Sequence, residues 1–125
     1  MRILSTIQKR EKLNSVYAVD EKGCGGANHH YKVTYSTIDF DDRIEKTAAD
    51  IQFQCGPRKE FDSVHGVLDT DLLEIVRDRL KGFQSGEFAT EYNAKALEYI
   101  ELALMYMNRR VEDRIERNVL GTNNK

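Results

Sequence analysis

A short polar and aromatic stretch, GFQSGEFATEYN at residues 82–93, separates two amphipathic segments of this 125-residue chain. Gly82 and Gly86 are typical of a helix end, and Thr90 is typical of the residue that caps a following helix, with Asn93 at its third position. The stretch therefore predicts two helices joined by a tight turn, and this hairpin decides the fold of the second half of the chain.

The segments on either side of the turn have the period of an α-helix. We expect Asp69 to cap the first helix, whose apolar residues recur at helical spacing: Leu72, Leu73, Val76, Leu80 and Phe83. The second helix is predicted to run to about Asn118, with a coiled-coil-like seam of Leu97, Ile100, Leu104, Met107 and Val111.

A second apolar stripe lies beside that seam and consists of Tyr99, Leu102, Ala103 and Tyr106. The first helix is about half as long as the second and cannot cover both stripes. Because a helix that is apolar on two sides is rarely left bare in a small soluble protein, we expect the stripe to meet both the rest of the chain and another subunit.

The first 66 residues are rich in β-branched and aromatic residues. Four strands are predicted, at Ile3–Gln8, Ser15–Val19, His30–Ile38 and Ala49–Gln54, with a loop at Asp20–Asn28. The expected fold is α+β: a small N-terminal antiparallel sheet followed by a C-terminal helical hairpin with one long helix. We predict one domain, 1–125, with a β-rich lobe at 1–66 and the hairpin at 67–125.

The net charge of −2 argues against binding to duplex nucleic acid, which needs a broad basic surface. No apolar run approaches 18 residues, so no membrane span is expected, and the polar start does not resemble a secretory signal. We therefore interpret the protein as intracellular. A few converging arginines would still suffice to bind a small anion.

Cys24 and Cys55 lie far apart in sequence and, in a reducing cytoplasm, are expected to stay free thiols. A metal site built on Cys24, His29, His30 and His65 is not expected, because adjacent strand residues point to opposite faces.

Two further segments resemble ligand loops only superficially. The glycine-rich run 23–26 lacks the lysine and hydroxyl of a phosphate loop, so a hairpin loop is expected there. The carboxylates of Asp39, Asp41, Asp42 and Glu45 lack the full spacing of a calcium loop, so a solvated acidic turn is expected.

Candidate binding residues fall at both ends of the hairpin. Phe83 is in phase with the core stripe, but its ring could instead stack on a nucleobase, and the amide of Asn93 suits a base edge or a ribose hydroxyl. At the other end, four arginines form either an anion clamp or a solvated, salt-bridged helix end, and the last three of them share one helix face: Arg109, Arg110, Arg114 and Arg117.

The second half of the chain resembles the helical hairpin of small phage anti-defence proteins, the nucleotide "sponges" that counter Thoeris and CBASS immunity. The resemblance rests on the runs 71–84, 88–98 and 114–122, and the added sheet makes the phage Thoeris anti-defence protein 1 family the most similar. Two departures are visible: Tyr92-Asn93 stands where Glu-Asn is expected, and Asn118 stands where glycine is expected.

The resemblance implies a binder that acts without catalysis and needs no cofactor. It would sequester cyclic ADP-ribose isomers made by TIR-domain enzymes, in the cytoplasm of the infected bacterial host, and some family members also bind cyclic di- and trinucleotides. Family members assemble into oligomers, so a dimer or a hexamer is expected. The expected ligand-binding residues are Phe83, Gln84, Asn93, Arg58, Thr90, Arg109, Arg110, Arg114 and Thr122, with Thr90 and Thr122 placed at a second site between subunits.

Two other classes of function stay open. An enzyme would degrade the signal, which requires a base or a metal that the sequence does not reveal. A non-catalytic protein–protein interaction module of a phage would use the helical faces without any ligand.

Overall fold

The computed structural model describes residues 1–124. Four strands, β1 (Arg2–Ile3), β2 (Asn14–Ala18), β3 (His30–Asp39) and β4 (Asp42–Gln52), precede two helices, α1 (Asp69–Gln84) and α2 (Glu91–Glu116). All neighbouring strands pair antiparallel, and the sheet order follows the chain. The predicted α+β class, with a sheet followed by a hairpin that contains one long helix, is confirmed.

The sheet differs from the prediction at two strands. β1 ends at Ile3, whereas a strand to Gln8 was expected, and β4 begins at Asp42, seven positions before the predicted start at Ala49. The cause at β4 is a two-residue hairpin turn in which Phe40 (φ 47°) and Asp41 (φ 71°) both have positive φ, as a type I′ turn requires. The acidic segment is therefore a turn only at its centre.

A bulge in β4 sets which residues share a face of the sheet. Val33 pairs with Ala49 but Thr34 pairs with Thr47, so one residue of β4 is left unpaired. The bulge places Glu45 on the same face as Thr34. The hydroxyl of Thr34 donates to the carboxylate of Glu45 at 2.5 Å. The hydroxyl of Tyr17 also donates to Glu45, so hydrogen bonds within the sheet organise this polar face, and Thr34 is buried.

The opposite face carries the apolar residues of β3, of which Tyr35 is exposed. Ala18 is buried, and Tyr31 and Val33 are half-buried. The ring of Tyr31 meets that of Phe53 edge-on, with centroids 5.6 Å apart. This face is the small apolar core of the sheet.

The loop between β2 and β3 is held by Asp20. Its carboxylate accepts hydrogen bonds from the backbone N–H groups of His29 and His30 and from the amide of Asn28. Desolvation alone would raise the pKa of Asp20, but these hydrogen bonds outweigh it, and the pKa is lowered. The loop predicted at Asp20–Asn28 is therefore an ordered structure.

The helices follow the predicted periodicity with shifted ends. Leu68, not Asp69, is the N-cap of α1, and its N–H donates to the carboxylate of Asp71 at 2.8 Å. The helix ends at Gln84, so Gly82 lies inside its last turn. Thr90 caps α2 as predicted, and α2 ends at Glu116, two residues before the predicted end.

The chain forms two compact units: one contains residues 1–56 and 62–66, and the other contains residues 57–61 and 67–125. In the second unit, Arg77 of α1 bridges to Glu101 of α2 at 2.7 Å, which raises the pKa of Arg77. The seam residues of α2 are half-buried except Met107. No helix in residues 1–124 is long and apolar enough to cross a membrane. The prediction that the whole chain is one domain stays a prediction.

Candidate functional site

The turn between α1 and α2 is closed by one side chain. The amide of Gln84 donates to the carbonyl of Thr90 at 3.1 Å and accepts the Thr90 N–H at 3.0 Å. It therefore satisfies both backbone groups of the residue that starts α2. Gln84, predicted as a ligand-binding residue, has a structural role in the turn.

Thr90 continues this network into α2. Its hydroxyl accepts the backbone N–H of Asn93 at 3.0 Å, which is the N-cap bond that the sequence predicts. Asn93 takes part through its backbone and not through its side-chain amide. The cap fixes where the half-buried Asn93 side chain leaves the helix.

Phe83 lies near this network, in the last turn of α1. Phe83 is 41 % exposed, the same fraction as Val76 of the same stripe, and the guanidinium of Arg79 lies 5.5 Å from its ring centroid. The Gln84–Thr90 network and the partly exposed Phe83 define what we call the turn end of the hairpin. Arg79 was not among the predicted residues, although its position one helical turn before Phe83 would have indicated this contact.

The other end of the hairpin, which we call the tail end, consists of the last two turns of α2, from Arg109 onward, and the segment that follows them. Asn118 has a φ of 57°, its N–H donates to the carbonyl of Ile115, and the N–H of Val119 donates to that of Arg114. This pair of hydrogen bonds is a Schellman motif with asparagine in the left-handed position. Asn118 therefore adopts the left-handed conformation for which the family resemblance led us to expect glycine.

Arg114 is buried at the tail end, with 8 % of its surface exposed. Its Nη2 atom donates to the carbonyls of Val119 and Thr122, both at 3.1 Å. Thr122 in turn donates its hydroxyl to the carbonyl of Val119 at 2.6 Å. For Arg114, the interpretation as a solvated helix end is wrong, because the chain folds back over its guanidinium.

The segment 57–61 lies against this tail. The N–H of Lys59 donates to the carbonyl of Gly121, whose φ is 81°. A Cβ atom on Gly121 would lie 2.8 Å from Cγ of Lys59, so no other residue fits there without displacing the lysine side chain. The exposed Arg58 is thereby held in the same unit as Arg114 and Thr122.

Arg109 and Arg110 lie further up α2 and are exposed. The guanidinium of Arg109 lies 5.9 Å from the ring centroid of Tyr106. Helical spacing predicts that Arg117 shares a helix face with Arg110. In the structure, Arg117 forms an ion pair with Asp113 at 3.1 Å. The arginines are therefore of three kinds: exposed (Arg109 and Arg110), surface-paired (Arg117) and buried (Arg114).

The two ends of the hairpin are far apart. Asn93 and Arg110 are separated by 17 positions of continuous helix, which corresponds to about 26 Å. The structure thus brings the predicted residues together in two groups: Phe83, Gln84, Thr90 and Asn93 at the turn end, and Arg58, Arg109, Arg110, Arg114 and Thr122 at or near the tail end. One nucleotide-sized ligand cannot touch both groups of a single chain.

Other candidate clusters lie in the sheet unit. Among residues 1–124, no group of three or more histidine, cysteine, aspartate or glutamate side chains is arranged to hold a metal ion. His30 is hydrogen-bonded to Asp50 on the neighbouring strand. The glycine-rich run 23–26 forms a short 3-10 turn, with Gly25 and Gly26 at positive φ.

Comparison with known proteins places the hairpin in a family. The family model described as "Acb2/Tad1, hairpin domain" matches residues 45–112, more than half of the chain. The chain belongs to this family. The matched range starts in β4, contains the turn end and both exposed arginines of α2, and stops before Arg114 and Thr122.

A relative supports membership of the Acb2/Tad1 hairpin family. The protein "Thoeris anti-defense 1" of Bacillus phage SBSphiJ7 is 42 % identical over 77 residues, which cover 62 % of this chain and 54 % of the relative. The chain thus matches about half the length of this curated relative. The resemblance inferred from the hairpin runs is confirmed.

Beside its seam, α2 exposes a set of large apolar residues. The side chains of Tyr92, Tyr99, Met105 and Tyr106 are each more than 60 % exposed, and Leu102 is 43 % exposed. Ala103, the remaining member of the predicted second stripe, is half-buried. Most of that stripe is therefore uncovered by α1, as the difference in helix length led us to expect.

Proposed function

We propose that this chain is a phage anti-defence protein that binds a cyclic ADP-ribose-type immune signal and holds it intact, and so inhibits Thoeris immunity. The observation that carries the proposal is the match of the hairpin to the family model, supported by a relative that is 42 % identical over 77 residues and is named for anti-Thoeris activity. The protein acts as a binder and not as an enzyme, in the cytoplasm of the infected host. Cyclic di- and trinucleotides are a second candidate ligand class.

At the turn end, Phe83 is the proposed stacking surface for the base. Its partial exposure leaves ring area for a ligand, and the guanidinium of Arg79 adds positive charge next to the ring. Asn93 presents its side-chain amide from the first turn of α2, where it can donate to and accept from a base edge or a ribose hydroxyl. Gln84 and Thr90 position these two residues through the turn network.

At the tail end, the exposed Arg109 and Arg110 are the proposed phosphate-binding residues, with Arg58 in support. Guanidinium groups bind phosphate oxygens in a bidentate manner, and a pyrophosphate offers two charges to neutralise. Arg114 acts differently from its neighbours, because its Nη2 atom holds the tail that carries Thr122. We assign it as a positioning residue.

The turn-end and tail-end residues of one chain lie about 26 Å apart, but residues from two chains can form one site. Copies packed along the exposed stripe of α2 can bring the turn end of one chain to the tail end of another. We therefore propose a homo-oligomer, either a dimer or a hexamer built from dimers, with each site shared between chains. In the competing arrangement, each chain has two independent sites, and Thr90 and Thr122 belong to the second.

A capture-and-release assay tests the proposal. The protein is incubated with a purified cyclic ADP-ribose isomer, separated from free ligand and heated, and the released compound is identified by mass spectrometry. Recovery of the intact compound supports the binder, an altered product identifies an enzyme, and no capture of that isomer or of cyclic trinucleotides leaves a protein–protein interaction module.

Variants locate the site in the same assay. Phe83→Ala is expected to weaken binding about 5- to 150-fold, because one stacking contact contributes roughly 1–3 kcal/mol. Arg110→Ala should weaken it as well and reduce its salt dependence. If sites are shared, co-expression of Phe83→Ala with Arg110→Ala chains should restore some full-affinity sites, whereas independent sites would show no restoration.

A further inference from the structure

The two cysteines of the chain meet in the sheet unit. Cys24 lies in the glycine-rich turn before β3 and Cys55 follows β4, yet their Sγ atoms are 3.1 Å apart and share a thiol hydrogen bond. Both are free thiols in this structure. A disulfide bond has an S–S length of about 2.05 Å, so closing the bond requires a movement of only about 1 Å.

The two thiols have different environments. Cys55 is half-buried, and its backbone is fixed by two hydrogen bonds with Val64, at 2.9 and 2.7 Å. Cys24 is exposed, between Gly23 and Gly25, and Gly25 and Gly26 have positive φ. The turn around Cys24 is closed by two backbone hydrogen bonds, from Gly23 to Ala27 and from Gly26 to Gly23, so the structure holds both sulfurs in place and leaves that of Cys24 accessible.

We propose that Cys24 and Cys55 are a redox-active pair that forms an intramolecular disulfide when the protein meets a small-molecule disulfide such as oxidised glutathione. This role is independent of the binding function proposed above. It also modifies our expectation that the cysteines stay free in a reducing cytoplasm, because the spacing of 31 positions gave no sign that the folded chain brings them into contact.

The reaction proceeds by two exchange steps. The exposed Cys24 thiolate attacks one sulfur of the oxidant, the S–S bond of the oxidant breaks, and one small thiol leaves. Cys55 then loses its proton and attacks Sγ of Cys24, which forms the protein disulfide and releases the second small thiol. In total, two electrons and two protons pass from the cysteine pair to the oxidant.

The pH dependence of the first step follows from the environment of Cys24. The hydrogen bond with Cys55, and then desolvation, raise the pKa of the Cys24 thiol. The thiolate fraction is therefore small near neutrality, and the rate of the first step should rise as the pH approaches that raised pKa.

The disulfide would close a loop that contains all of β3 and β4. Cross-links of this kind restrict the unfolded chain, so oxidation should raise the melting temperature of the sheet unit, by on the order of 10 °C. The pair would therefore link the stability of the sheet to the redox state of its surroundings.

The test is oxidation of the intact protein with defined mixtures of reduced and oxidised glutathione. We expect a product whose mass is lower by two hydrogens and in which a thiol reagent detects no free thiol after denaturation. Digestion without reductant should yield a peptide pair linked through Cys24 and Cys55. In urea, the equilibrium constant for ring closure should fall by about tenfold or more, because the folded sheet no longer holds the thiols together.

Single variants provide matched controls. Cys55→Ser leaves the exposed thiol without a partner, so it should stop at a mixed disulfide with glutathione, and Cys24→Ser should react more slowly. Circular dichroism checks that each variant is folded. Stable glutathione adducts on both cysteines of the wild-type protein, or dimers linked between chains as the main product, would overturn the proposal.

Discussion

At both ends of the hairpin, side chains form hydrogen bonds with backbone groups where a helix begins or ends, but the side chains differ in charge and in burial. At the turn end, the exposed loop is closed by the neutral amide of Gln84 and the hydroxyl of Thr90. At the tail end, a charged and buried side chain, that of Arg114, binds two carbonyls of the returning chain. Residue type alone therefore does not decide which residue can contact a ligand. Arg114 and Arg110 carry the same group, but the first holds the backbone of the tail and the second faces the solvent.

The largest effect is expected from Arg114→Met at the tail end. Hydrogen bonds from a charged donor contribute about 1.5–3 kcal/mol each, and those that hold the tail share one Nη2 atom, so we expect a loss of roughly 2–4 kcal/mol in the free energy of unfolding of the hairpin unit. Urea denaturation followed by circular dichroism measures it, and hydrogen exchange should show loss of protection at Val119.

Arg110→Met is the matched control, because it removes the same group from the exposed face of α2. Its effect on stability should stay within about 0.5 kcal/mol. Equal losses for the two variants would mean that the buried arginine does not hold the tail, and the contrast between the ends would fail.

An intermediate effect is expected from Gln84→Ala at the turn end. Two neutral hydrogen bonds to Thr90 are lost, each worth about 0.5–1.5 kcal/mol, so the hairpin unit should lose roughly 1–2 kcal/mol. Gln84→Glu sharpens the comparison: its carboxylate still accepts the Thr90 N–H but cannot donate to the Thr90 carbonyl, so about half of the loss is expected. A Gln84→Ala variant that keeps its stability but loses ligand binding would show direct contact with the ligand.

The smallest effects are expected at Asn118. A left-handed backbone costs an ordinary residue about 1–2 kcal/mol, and asparagine less, so Asn118→Ala should destabilise the tail end by about 1 kcal/mol. Asn118→Gly should be neutral or slightly stabilising. Thermal melts of the two variants, compared side by side, distinguish this backbone effect from a loss of side-chain contacts, which would lower stability in both.

Local rules account for the parts of the structure that the sequence predicted well. The N-cap at Thr90, the seam of α2 and the bounds of β3 depend on neighbours within a few residues. The cap is confirmed, every seam residue except Met107 is half-buried, and β3 ends one residue beyond its predicted end. The start of β4 was missed because Phe40-Asp41 is an unusual sequence for a turn with two positive φ angles.

The candidate site was harder to predict, because its geometry depends on where the chain goes after α2. Helical spacing places Arg110 and Arg114 on one face, but only the reversal at Asn118 buries the second while the first stays exposed. The contact of Lys59 with Gly121 joins positions 62 residues apart, which no local pattern indicates. The distance between the two ends could have been calculated from helix length alone.

The bond between Lys59 and Gly121 has a consequence for dissecting the protein. Because residues 57–61 belong with the helices and residues 62–66 with the sheet, the polypeptide changes unit three times, and no single cut separates the two units. An excised fragment that begins at residue 67 would retain both helices but lose the backbone donor that meets Gly121. A faithful isolated hairpin would need residues 57–61 supplied as well, either as a separate peptide or through a circularly permuted connection.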